Sequence, residues 1–434
     1  MPERLILTGQ VLTFNGNPVK EKGAAVFRRK GAVAIENGKI IWVGEGNLIP
    51  SHINNGANRH DYGNNLIMPG FIDAHTHYPQ AGIIASFAPE LFEWLKKYTF
   101  PEEARFSNLE FARERASFFL DQLMANGITT AAVYCTVHPE SAQAFFEESD
   151  LRGLRMIAGK VLMDRNAPQK LRDTPETSYE ECLALIEKWH KRGRCLYAVT
   201  PRFAPTSSPA QLEVCSALMK KFSDIYLQSH VSENVAEIKW VSELFPESRS
   251  YLDVYARFNL LGPRSLFGHA IHMDKKDLTQ AAETETKFVH CPTSNLFINS
   301  GLFRMRDMRK AGLKILLGSD VGGGTSFSPF VTMKVAYEIA LMNHYILTPE
   351  EAFWMSSSGG AEALGLGDRI GCIKPGFEAD IVVINLHSTP LIEQRMQRAE
   401  SLSDVLFTQM ILADDRAIRA TYANGVRIFN AKRN

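Results

Sequence analysis

The chain predicts an α/β fold, a (β/α)8 barrel of the TIM type with a small β-sandwich domain built from both chain ends. Three observations carry this. Between Pro69 and Asp320, short continuous apolar runs recur eight times, as strands buried on both faces of a parallel sheet require. The segments separating them are charge-rich and amphipathic, with a helical period. Outside that interval both ends carry short apolar runs broken by Asn-Gly turns.

Residues 1–68 form the first part of the sandwich, with apolar runs at 5–7, 24–27, 32–35 and 40–43. Between the last two, Glu36-Asn37-Gly38-Lys39 suits a type I′ hairpin, whose two central residues need positive φ. The barrel occupies 69–375. Its first strand follows Pro69-Gly70 and ends at His75-Thr76-His77, and the others lie at 128–134, 156–161, 196–200, 225–230, 266–269, 288–291 and 315–320. The clearest helical separators are 110–125, with Phe111, Ala112, Phe118, Phe119 and Leu123, and 179–190. Residues 376–434 return to the sandwich, with runs at 379–384 and 421–429 and a second hairpin at Asn424-Gly425. An open doubly wound sheet is the competing topology. It lacks a Gly-x-Gly-x-x-Gly after an early strand, and Gly322-Gly323-Gly324 follows the last strand with the wrong spacing.

With 434 residues, 45% of them apolar, the chain can bury a large core. Lys and Arg number 48, as do Asp and Glu, so no basic field attracts nucleic acid and a small, weakly charged substrate is expected. The first residues hold too short an apolar run for a signal peptide, and no stretch approaches a membrane span; the expected location is the cytoplasm. The six cysteines form no Cys-x-x-Cys pair and read as reduced thiols, mostly in the core.

In a barrel the C-terminal strand ends converge on one face. Here the first strand ends in His75 and His77, which point the same way because side chains alternate along a strand. The fifth ends in His230 with Glu233 just beyond, the sixth in His269 and the eighth in Asp320. Imidazoles with a carboxylate suit Zn²⁺ or Fe²⁺ and leave room for a water. A free carboxylate such as Glu233 can then move protons. Blander roles exist for each residue: polar strand ends for the histidines, a helix cap for Glu233, a structural ion pair for Arg202. Lys160 could be catalytic but reads rather as the anchor of a carboxylate or carbonyl, and His138, His272 and His290 as structural or supporting groups. Trp94, Tyr98 and Phe100 fit either a lid or a subunit interface.

Pro69-Gly70-Phe71-Ile72-Asp73-Ala74-His75-Thr76-His77, Gln228-Ser229-His230-Val231-Ser232-Glu233, Gly268-His269-Ala270 and Leu317-Gly318-Ser319-Asp320 together resemble the amidohydrolase superfamily. Within it, Tyr78-Pro79-Gln80, Glu93-Trp94-Leu95, Thr200-Pro201-Arg202-Phe203 and His290-Cys291-Pro292-Thr293-Ser294-Asn295 are similar to the guanine deaminases. The resemblance implies metal ligands His75, His77, His230 and Asp320, with Glu233 as proton shuttle. It implies His269 against the attacking water, and Asp320 also accepting its proton. Gln80, Arg202 and Phe203 would hold the ring, together with His269 and Glu233. It further implies one Zn²⁺ per subunit, with Fe²⁺ as the alternative, because the fourth strand lacks the lysine that bridges two metals in some relatives. Guanine is the implied substrate and a homodimer the implied assembly. The alternatives are deamination of another ring (8-oxoguanine, another aminopurine, a pterin, cytosine or a triazine), hydrolysis of a cyclic amide, or a scaffold that kept only the fold. A cytidine-type zinc deaminase and a serine hydrolase lack their motifs here.

Overall fold

The computed structural model describes residues 4–431. Eight parallel strands form the barrel: Phe71–His77, Ile128–Tyr134, Arg155–Gly159, Leu196–Pro201, Tyr226–Val231, Ser265–His269, Lys287–His290 and Ile315–Leu317. Each pairs with its sequence neighbour in that order. Residues just past the eighth strand meet the first, the Asp320 N–H donating to the His75 carbonyl at 2.8 Å and the His77 N–H to the Val321 carbonyl at 2.8 Å. Nearly every strand residue is buried, which is why these strands read as unbroken apolar runs.

The third strand is shorter than expected. It stops at Gly159, and a separate two-residue strand, Val161–Leu162, pairs with the end of the fourth. The backbones touch there: a Cβ on Gly159 would lie 1.8 Å from the Ala198 carbonyl oxygen, so only glycine fits. Between the two pieces the buried Lys160 binds Asp173 at 2.6 Å and Glu181 at 3.1 Å, the carboxylate anchor expected of it.

The expected helices are present as Leu109–Ala125 and Pro175–Trp189. In the first, Ala112, Ala116, Phe119, Leu120 and Leu123 face the core at helical spacing. Phe118 falls off that stripe and is 46% exposed. Asn108 and Thr174 cap the two N-termini by accepting backbone N–H groups.

The two chain ends share one sheet of seven strands. Arg4–Phe14 lies between Ala25–Glu36 and Asn58–Pro69, and Ile381–Ile384 joins the other side of Asn58–Pro69. Lys39–Glu45 closes one edge of this sheet, with Ile418–Ala423 and then Val426–Asn430 at the other. Both Asn-Gly turns have the expected positive φ, 50° and 76° at Asn37-Gly38 and 49° and 78° at Asn424-Gly425. One face holds a cluster of its own around Leu7, Val33, Ile67 and Val383. Leu12, Leu66, Met68 and Val382 instead join the main core with the barrel. The six cysteines are all unpaired and five are buried. Among the described residues no helix is long and apolar enough to cross a membrane.

Candidate active site

The predicted ligands meet at the C-terminal mouth of the barrel. His77 Nε2 lies 3.3 Å from His230 Nε2 and 3.3 Å from Asp320 Oδ1. His75 Nε2 lies 3.4 Å from the same oxygen. His269 Nε2 is 3.8 Å from Asp320 Oδ2 and 3.5 Å from Glu233 Oε2. Ligand atoms of His75, His230, His269 and Asp320 all fall within 4.8 Å of one another, so His269 also belongs to the cluster. All these side chains are buried. His269 and Asp320 hold left-handed backbone conformations, φ 69° and 50°, a strain that recurs where a fold aims a functional side chain.

The rings are held in place from behind. Gly268 and Gly318 on neighbouring strands make room for His75: a Cβ on Gly268 would lie 2.5 Å from His75 Cε1, and one on Gly318 2.8 Å from His75 Cβ. Gly268→Ala is therefore expected to push the imidazole off its position. Metal affinity should fall by at least about tenfold, as when a ligand's supporting partner is lost, and a metal titration of the variant checks it. Asp73 ties the first strand to the eighth, accepting the Ser319 N–H at 3.0 Å and the His75 N–H at 3.2 Å. Burial pushes its carboxyl up to about 6 against the pull of those bonds.

A carbonyl oxygen can only accept, so the 2.6 Å contact between His230 Nδ1 and the Arg202 carbonyl fixes the proton on Nδ1 and frees Nε2. Asn295 Oδ1 does the same for His269 at 2.9 Å. Burial lowers the pKa values of His75, His77 and His230, that of His77 to about 3, keeping the rings neutral. Burial raises the Asp320 carboxyl, but its contacts with His75 and His77 outweigh that and hold it well below its usual value. His75 Nε2 is buried without a hydrogen-bond partner. Neutral imidazoles with an ionised carboxylate, His75 Nε2 and His77 Nδ1 both unsatisfied, are the donor set of a divalent transition metal, and the residues fit such an ion.

Glu233 stands beside this cluster, 3% exposed. Burial, reinforced by the Asp320 charge, pushes its carboxyl up to about 8. Ser300 Oγ donates to its Oε1 at 3.0 Å. Its backbone N–H donates to Glu237 at 3.0 Å, and Tyr251 in turn donates to Glu237 at 2.8 Å. Glu233 is thus not the cap of the following helix, a role that Asn234 fills.

A cavity opens on these groups. His77, His230, His269, Glu233 and Asp320 form its floor, with Gln80 and Arg202 also in the wall. The apolar sides are Leu91, Trp94, Leu95, Phe203 and Ile298, which pack into one cluster. Trp94 therefore faces the cavity, whereas Tyr98 and Phe100 pack partly buried against that cluster. Arg202 does have a carboxylate partner, Glu103, at 2.6 Å. Sequence reasoning missed Glu103, Ser300 and Asn295; of these only Asn295 lay inside a motif quoted for the resemblance. His272 donates to the Ser300 carbonyl at 3.0 Å, and His290 stacks on Phe303.

Residues 66–428 match the amidohydrolase family. The chain is 44% identical to the guanine deaminase of Escherichia coli (strain K12) over 413 residues, covering 95% of this chain and 94% of that protein. It is 33% identical to the guanine deaminase of Mus musculus over 376 residues, 84% of this chain and 83% of that one. Its fold superposes on the structure of the E. coli enzyme with a TM-score of 0.95, over 100% of both chains at 42% identity. A guanine deaminase from C. acetobutylicum, described with guanine bound in its active site, gives a TM-score of 0.90 at 29% identity, over 98% of this chain and 100% of that one. A barrel with histidines and an aspartate at its strand ends, matched along most of its length, places this chain in the amidohydrolase family.

Proposed function

We infer that this chain hydrolyses guanine to xanthine and ammonia. The observation that carries the reading is one cavity holding both halves of the chemistry. Its floor has the ligand cluster and Glu233, and its wall has Arg202 and Gln80. The likeness to proteins named guanine deaminase supports the choice of ring.

His75, His77, His230 and Asp320 would hold a single Zn²⁺, with Fe²⁺ as the alternative. Such an ion, when bound, lowers the pKa of a water from about 15.7 towards about 7. Arg202 donates to the 6-oxygen of guanine, Gln80 meets the polar edge of the ring, and Phe203 bounds it on an apolar side. Water oxygen bonds to C2 as the C2–N3 double bond opens onto N3, Asp320 takes up one of its protons, and His269 Nε2, its proton held on Nδ1 by Asn295, accepts a hydrogen bond from the O–H that remains. Glu233 delivers a proton to the 2-amino group, the C2–N bond breaks, and ammonia leaves. The same reading makes the chain a cytoplasmic homodimer, with a barrel at 69–375 and a terminal domain from 1–68 and 376–434.

Ammonia release from guanine, 8-oxoguanine, adenine, cytosine and a pterin tests it. The enzyme is assayed as purified, after chelation, and after zinc is restored. Turnover of guanine should vanish on chelation and return with zinc. Metal-dependent turnover of a different ring alone would refute guanine as the substrate.

A further inference from the structure

Gln80 and Arg202 come from different strand ends, yet one carboxylate holds both. Glu103 is fully buried at the end of the single helical turn Phe100–Glu103. Its Oε2 accepts from Arg202 Nη1 at 2.6 Å, and its Oε1 accepts from the same nitrogen at 2.9 Å and from Gln80 Nε2 at 2.9 Å. Gln80 Oε1 accepts the Gly322 N–H at 3.3 Å, so both ends of the amide are engaged. The Phe100 ring, on the same turn, lies 5.7 Å from Arg202 Cζ.

Arg202 and Gln80 line the cavity and Glu103 does not. Among the described residues, Arg202 spends only Nη1 on hydrogen bonds, which leaves Nε and Nη2 as donors. A guanidinium pinned through one nitrogen presents the others in a fixed plane, and a charge-balanced pair suits a neutral ring rather than an anion. We infer that Glu103 is a positioning residue, which sets Arg202 and Gln80 in the attitude that reads the oxo edge of a neutral ring. This rests on the guanine reading and deepens it.

The test is a double-mutant cycle on the full-length metal-loaded enzyme, with kcat, KM and metal content measured for wild type, Glu103→Gln, Arg202→Met and the double variant. Glu103→Gln should raise KM for guanine by roughly 10–100-fold with metal content unchanged, the scale of a misplaced binding group. In the Arg202→Met background the same change should cost clearly less than in wild type, because only Gln80 is left for it to act through. Glu103→Asp, which keeps the charge on a shorter arm, should recover part of the loss even if Glu103→Gln folds poorly. An unchanged KM in Glu103→Gln, or losses that multiply in the double variant, would overturn the assignment. If wild type leaves guanine untouched, the substrate reading falls, and the same cycle on whichever oxo ring is turned over decides Glu103. A wild type that turns over no oxo ring overturns both.

Discussion

Glu233→Gln is expected to keep its metal and lose turnover by roughly 10²–10⁴-fold, the usual contribution of a positioned acid or base. The substitution is nearly isosteric, and its amide can still meet Ser300 Oγ, which holds Oε1 at 3.0 Å. The backbone of residue 233 stays fixed by Glu237 whatever the side chain. What disappears is the ability to take up and release a proton 3.5 Å from His269 Nε2. Metal analysis alongside single-turnover ammonia release separates the outcomes. A variant that keeps most of its rate would remove Glu233 as the shuttle, and one that loses its metal would make the residue a ligand.

Asp320→Asn should do the reverse and empty the site first. Asp320 brings the negative charge among the ligands, with Oδ1 3.4 Å and 3.3 Å from the Nε2 atoms of His75 and His77. An amide of the same shape removes that charge and can turn an N–H₂ towards nitrogens that must themselves donate lone pairs. Metal affinity is expected to fall by more than the roughly 100-fold seen when only a ligand's outer partner is lost. Turnover should fall with it. The fold should persist, because Asp73 rather than Asp320 binds Ser319 across the barrel seam. Isothermal titration with zinc and a far-UV spectrum test the two halves of the claim. An Asp320→Asn protein that binds zinc as tightly as wild type would exclude the carboxylate from the ligand set.

The barrel was legible because its strands are buried on both faces and lie between helices, which leaves continuous apolar runs in the sequence. The histidines were legible because polar side chains ending such runs are rare enough to stand out. Glu103 was not, for a physical reason. It follows Glu102, whose oxygen pairs with the exposed Arg105, and two adjacent glutamates in one short helical turn read as a solvated face. Only the tertiary fold shows that one of them turns inward to Arg202. Ser300 was hidden likewise, since a serine in a loop carries no pattern until Glu233 is found opposite it. The third strand misled in a smaller way. Its apolar run continues past Gly159, but close backbone contact with the fourth strand breaks it there.

The atom that sets the His230 tautomer is the main-chain carbonyl of Arg202, while the side chain of the same residue lines the cavity. Every amino acid carries that carbonyl. On the proposed reading, replacement of Arg202 would thus rewrite which ring is accepted and leave the protonation pattern of His230 untouched. Such an arrangement would let selectivity and the hydrolytic machinery be altered separately at one position.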